Sequence, residues 1–494
     1  MSDPSSKGIL DGPLAREIAR FGTPLAVGMA LQTTFNLVDA YLVAHLPREE
    51  VGAAIGALGI CDQIAALGTI VSYGVSTATS TLISQQKGAG KNDSVQRTAW
   101  QSLLVVGALS AIFAVVGLAL SGTIVSDVIG AKGDVAVQAT RYLRVIVGGS
   151  FSIFFLLQLT SIQRALGSAK TPVAILVSGN VLNIFLAILF IFGPGPAPAA
   201  FAWATEIARV LHIPRMGMLG AAWATILART LALIPLVYIL ARRFKIDLPE
   251  RGRRGPDRYE IRRIVSIAWP SSLQFVIRIS AMLLINSLVA RAFTTATDQT
   301  ATTAIGLVFR LDTMALFIAM GWGSAAQTFV GQNIGARNTK RAVRSGWLTA
   351  LYDGITNVLL IVVIFFAGAS ILHIFDDDPA PVGIALEYLR AVAPSYIGLG
   401  IGVVLGNAMA GAGATRATMW IDIVVILGFQ FPLCILAVAA FHASRTTLFE
   451  CVAVTNFVGA VAYSLVYARG HWNHTLPPVS IPPPPAPAPA REEA

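Results

Sequence analysis

The sequence predicts an all-α polytopic membrane protein, with about twelve transmembrane helices in two six-helix lobes related by a pseudo-two-fold axis along the membrane normal. Three observations predict it. Charged residues are 13% of the 494 and hydrophobic residues 55%, with a mean hydropathy of +0.69. A soluble domain carries about 25% charged residues, so most of this chain is dissolved in lipid. Twelve apolar segments reach the roughly 20 residues that a membrane helix needs. Finally, the second half of the chain repeats the first.

Residues 1–20 are polar and lack the apolar core and cleavage site of a secretory signal, so the first span is expected to direct insertion. The first lobe, residues 21–241, holds apolar segments at 22–46, 52–84, 98–120, 138–165, 171–193 and 216–241. Its last two spans are separated by a Pro/Gly-rich outer loop near 193–215. A basic linker, 242–263, follows. The second lobe, 264–469, holds segments at 264–292, 300–332, 346–372, 382–411, 418–441 and 446–468. Residues 470–494 form a Pro-rich tail, expected to be disordered or polyproline II.

Most basic residues fall on one side of this scheme. They include Lys87, Lys91, Arg97, Arg164, Lys170, the linker cluster, Arg337, Lys340, Arg341 and Arg344. The positive-inside rule then puts both termini and the linker in the cytoplasm. The net charge of +10 is thereby explained by orientation and by anionic lipid, and a nucleic-acid partner is excluded. The three cysteines stand singly in apolar segments and read as packing residues, with no metal or disulfide spacing. The six histidines are scattered, and no catalytic constellation can be assembled. No enzyme activity, cofactor or obligatory protein partner is expected.

The repeat is carried by small and amide residues. Gly74, Thr81, Gln85, Gly88 and Ala89 match Gly321, Thr328, Gln332, Gly335 and Ala336 at a constant shift of 247 residues (321 − 74). Pro24 and Pro270 open the first span of each half. "GSAKT" (167–171) matches "GAGAT" (411–415), and "AAWAT" (221–225) matches "CVAVT" (451–455). Small residues let membrane helices approach closely. Six spans per half leave both halves in the same orientation, the arrangement of carriers with a cavity between two lobes.

With "NLVDAYLVAHL" in the first span, "LISQQKGAG" and its partner "FVGQNIGA", "RALGSAKTPVAILVSGNVLNI" (164–184) and "MGMLGAAWATILA" (216–228), the chain resembles the multidrug and toxic compound extrusion family over about residues 15–470. The resemblance implies export of amphipathic, often cationic, organic compounds in exchange for protons or sodium; the excess of Arg over Lys and the lack of targeting signals point to a bacterial inner membrane. The absence of a GxxxxGK[ST] loop removes direct ATP drive.

An acid inside a membrane is costly and usually functional. Asp39, in "TTFNLVDAYLV", matches the acid of the family's first span, where the resemblance implies cation coupling. It also implies an Asn, an Asp and a Thr from the fifth and sixth spans. Asn183 and Thr225 match, but the Asp position holds Ala187. Asn180 lies one turn from Asn183. One carboxylate with neutral oxygens suits a proton better than sodium.

On the seventh span a branch of the family carries a Glu where this chain has Arg278. Arg278 cannot switch protonation. It could hold an anionic substrate or pair with Asp312, beside Arg310 on the eighth span. Gln32 and Gln274 are further cavity candidates. The reading is therefore a cation-coupled exporter of small organic compounds. The alternative is a flippase or exporter of an anionic lipid-linked or polar substrate.

Overall fold

The structure, a computed structural model, describes residues 4–246, 254–295, 298–373, 375 and 378–474. Among them there is no strand. The first lobe contains α1 (Pro4–Asp11), α2 (Leu14–Ala44), α3 (Arg48–Gly88), α4 (Asn92–Thr123), α5 (Gly133–Gly148), α6 (Phe151–Ala165), α7 (Lys170–Phe192), α8 (Ala202–Val210) and α9 (Met218–Phe244). The second contains α10 (Arg258–Ala292), α11 (Thr300–Gly335), α12 (Thr339–His373), α13 (Pro379–Val392), α14 (Tyr396–Gly411), α15 (Thr415–Asp422), α16 (Phe431–Ile435) and α17 (Arg445–Arg469).

Among the described residues, nine helical segments are long and apolar enough to cross a membrane, and a tenth if the bent pair α5–α6 is one span. The remaining two spans of the twelve-helix scheme are α2 and α3, with 31 and 41 residues. At 1.5 Å per residue α3 is about 60 Å long. It therefore passes well beyond a hydrocarbon core of about 30 Å.

Three spans expected as continuous are interrupted, each at residues that break helical bonding. α5 and α6 meet at 41° across Gly149 and Ser150. α13 and α14 are separated by a 3₁₀ turn at Ala393–Ser395, where Pro394 has no N–H to give. The eleventh span widens into π turns at Ile423–Gln430 and Leu436–Ala440, on either side of Pro432. The missing N–H there is absorbed by i→i+5 bonding.

The described residues nearest each end pack more closely than their composition predicts. Ile9, Leu14 and Ile18 are buried in a cluster with Trp322 and Phe329. The Arg341 guanidinium donates to the Ile9 and Gly12 carbonyls at 3.2 and 2.6 Å. The first membrane helix thus starts at Leu14. At the other end, Trp472 is buried, stacks on Tyr467 with centroids 4.5 Å apart, and donates to the Tyr467 carbonyl. The tail assigned from residue 470 therefore begins with an ordered turn. Residues 475–494 and linker residues 247–253 lie outside the described residues. The rest of the linker docks on α4: Trp100 and Gln101 donate to the Arg254 and Gly255 carbonyls at 3.0 and 2.9 Å. Asp257, ion-paired with Arg97, caps α10. The outer loop of the first lobe contains the short helix α8.

The lobes meet through equivalent pairs: α2 lies against α11, and α10 against α3. The matching positions of the repeat pack on one another. A Cβ on Gly88 would stand 1.9 Å from the Gln332 carbonyl oxygen, and a Cβ on Gly335 would stand 2.0 Å from that of Gln85. A Cβ on Gly74 would stand 2.6 Å from the Ala268 carbonyl oxygen, just before Pro270, and one on Gly321 would stand 2.5 Å from the Ala26 Cα, just after Pro24. Gln85 donates to the Gly411 carbonyl and Gln332 to the Ala165 carbonyl, both at 2.8 Å. The glycines of the repeat are thus the points where two backbones touch across the pseudo-two-fold axis. The Gly88 and Gly335 crossings close the bundle at the end where α1 and the described part of the linker dock.

Candidate functional site: a cleft with two arms

Above this seal the lobes part around a cleft. One arm enters the first lobe between α2, α6, α7 and α9. It is lined by Gln32, Asn180, Asn183, Thr225, Arg164 and Arg229, among others. The other arm enters the second lobe, with Arg278, Asp312, Tyr388, Tyr396, Asp422 and Tyr463 in its walls. A narrow middle section joins them. It shares Tyr73, Phe275 and Asn407 with the first arm and Arg278, Met282 and Leu316 with the second. Tyr73 and Phe275 stack there at 5.0 Å, one ring from each lobe.

The first arm brings together Asn180 and Asn183 from one face of α7, Thr225 from α9 and Gln32 from α2. Thr225 spends its proton on the Ala221 carbonyl one turn back, at 2.9 Å, so its remaining lone pair can face a cation. Ala187 is buried and supplies no ligand. Asp39 lies within α2, but its side chain is outside the described residues.

The second arm corrects the expected pairing. Arg278 does not pair with Asp312. Its Nε donates to Asp422 Oδ2 at 2.7 Å and its Nη2 to Asp422 Oδ1 at 3.2 Å. The physical reason is helix rotation: α10 packs on α15, so the face carrying Arg278 meets the face carrying Asp422. Tyr463 donates to Asp422 Oδ1 and accepts from Gln274, both at 2.8 Å. Both oxygens of Asp422 thus accept from the guanidinium, the pairing that a buried carboxylate requires.

Asp312 instead accepts from Tyr388 at 2.5 Å and from Tyr396, both brought by the broken span α13–α14. Arg310 points the other way and lies over the Phe375 ring, 4.4 Å from its centroid. It contributes nothing to the cleft wall among the described residues.

Sequence reasoning missed the four tyrosines, and it counted Arg164 with the basic residues of one membrane side. Arg164 is in fact a wall of the first arm. Its place, three residues before Gly167 at a helix end, is what made it read as a loop charge. Asp422 is a single acid in an apolar segment, and nothing in the sequence names its partner.

A two-lobed helical bundle with a polar, ion-paired cleft sealed at one end defines a membrane transporter for small molecules. The MatE family model matches residues 24–189 and 270–436, one segment in each lobe, and the chain belongs to that family. It is 27% identical over 427 residues to a probable multidrug resistance protein, YpnP, of Bacillus subtilis, covering 85% of this chain and 88% of the relative. It is 22% identical to a FAD transporter of Shewanella oneidensis, covering 92% and 94%. The fold matches a solved MOP superfamily transporter of Pyrococcus furiosus, described as having a binding pocket of reverse polarity, with a TM-score of 0.83 at 21% identity over 95% of this chain and 98% of that one. An outward-facing MATE family transporter matches equally, also with a TM-score of 0.83.

Proposed function

We propose that this protein exports amphipathic organic compounds in exchange for a cation, protons rather than sodium, by alternating access between its lobes. The observation that carries the reading is the seal. It is built from a few pseudo-symmetric contacts, Gln85 to Gly411 and Gln332 to Ala165, around glycines that hold no side chain between the lobes. Such an interface can part and re-form with little repacking, and parting it would open the cleft to the other side. The positive-inside pattern supports a cytoplasmic position for that sealed end, and on this reading the cleft opens outward. The relatives' names, with multidrug resistance among them, support an organic substrate.

Protons are favoured by the donor set. Asn180, Asn183 and Thr225 offer neutral oxygens, and Ala187 removes the second carboxylate that a sodium site would gain from. Asp39 is the expected proton acceptor of the first lobe. Asp312, held by two phenols, is the corresponding acid of the second.

The test is dye transport in proteoliposomes, with ethidium and carboxyfluorescein under an imposed pH gradient or an equal sodium gradient. A pH gradient should drive transport of at least one dye, and Asp39→Asn should abolish it. Loss in Asp312→Asn with Asp39→Asn intact would move coupling to the second lobe. Transport driven by sodium alone would overturn the proton reading, and failure of both gradients with both dyes would overturn the exporter.

A further inference from the structure

Arg164 closes α6 at the seal. Its own carbonyl lies 3.4 Å from Thr328 Oγ1, and the next carbonyl, of Ala165, accepts from Gln332. Its backbone belongs to the seal, while its side chain lines the floor of the first arm. Arg164 is part-buried, and a guanidinium in such a cleft gains from a charge-assisted bond to an anion.

Among the described residues no carboxylate makes that bond. Arg164 takes part in none of the ion pairs. The described lining of this arm contains Arg164 and Arg229 but no Asp or Glu. The Tyr73 phenol lines the same arm as Arg164 and carries no charge to offset it. Arg278, the cation of the other arm, has its carboxylate in place. Arg278 is thus neutralised within its own arm, whereas Arg164 has no carboxylate against it among the described residues.

We propose that Arg164 is the anion-binding residue of the cleft, and that the exported compound carries a carboxylate or phosphate group which Arg164 holds. Its flat or apolar part lies against the Tyr73–Phe275 pair and the neighbouring Leu157 and Met320, which are walls of the same space. These apolar walls argue for an organic anion over an inorganic one. The inference rests on the exporter reading and names the charge of its substrate. It also places the anion directly above the carbonyls that Gln332 and Thr328 touch, where opening of the seal would release it.

The test is equilibrium binding, read without any gradient so that failure of ion coupling leaves it interpretable. Carboxyfluorescein anisotropy is measured with the full chain in detergent, for wild type, Arg164→Gln and Arg164→Lys, with ethidium as the cationic counterpart. Wild type should bind carboxyfluorescein more tightly than ethidium. Arg164→Gln should weaken carboxyfluorescein at least tenfold and leave ethidium unchanged or tighter, while Arg164→Lys keeps most of the anion affinity. An unchanged elution profile on size exclusion separates lost binding from lost folding. Equal anion affinity in wild type and Arg164→Gln, or wild-type binding of ethidium alone, would overturn the proposal. Displacement by inorganic phosphate at the dye's own affinity would overturn the organic part of it.

Discussion

The two lobes share a fold and a repeat, yet they handle charge in opposite ways. In the second lobe, Arg278, Asp422, Tyr463 and Gln274 form one closed network, and Asp312 sits between two phenols. In the first lobe the matching arm is walled by amides, a hydroxyl and arginines, with no carboxylate among its described residues. At the seal the lobes are nearly identical, down to equal hydrogen-bond lengths; in the cleft they are not. The repeat therefore preserves what lets the lobes meet and move, and the difference between the arms is where substrate and ion would be told apart.

The symmetry of the seal is broken most severely by adding side chains where backbones touch. Gly88→Val and Gly335→Val each place a Cβ about 2 Å from a carbonyl oxygen of the other lobe, and neither oxygen is the tip of a flexible side chain. Overpacking of this kind costs about 3 kcal/mol or more. Both variants should lose most of their thermal stability in detergent, by similar amounts. A large drop for one and none for the other would mean that the two crossings are not equivalent.

The contrast between the arms is sharpened by removing the two cations. Arg278→Gln leaves Asp422, 4% exposed, as a buried charge without its partner, a loss of roughly 3 kcal/mol. Arg164→Gln removes a cation that has no partner to orphan, so stability should be unchanged or higher. Melting curves of the two variants beside wild type check this. Equal destabilisation would show that Arg164 has a structural anion after all.

Much of the fold was legible because it follows from quantities that the sequence states directly. Low charge and long apolar runs give the spans. The shift of 247 marks Gly88 and Gly335 because close approach admits no other residue there. Partner choice was not legible. Asp312 and Asp422 are both single acids in apolar helices, and only the rotation of α10 against α15 selects Asp422 for Arg278. Arg164 was hidden for a related reason: a charge at a helix end reads as solvated, and only the tertiary fold turns its side chain inward. The breaks at Pro394 and Pro432 were written in the sequence, but a hydropathy reading averages over them. Of the first-lobe candidates, Asn180, Asn183, Thr225 and Gln32 do share one arm, an arrangement that depends on the packing of α2, α7 and α9.

The smallest expected effect tests the symmetry most finely. Gln85→Ala and Gln332→Ala remove hydrogen bonds of the same length, 2.8 Å, to carbonyls of the other lobe. If geometry alone set the energy, the two losses would match at about 1 kcal/mol. Burial separates them. Gln332 is fully buried, whereas Gln85 is only partly so. Water can take the place of the lost donor at Gly411 more readily than at Ala165, where only the long 3.5 Å contact from Ser84 Oγ would remain. Gln332→Ala should therefore lower the melting temperature more than Gln85→Ala. The double variant should depart from the sum, because both glutamines sit at one crossing, where the Gln332 carbonyl meets Gly88 and the Gln85 carbonyl meets Gly335. Equal losses would mean that water reaches both sides of the seal alike, and that the pseudo-two-fold relation extends to its hydration as well as to its backbone.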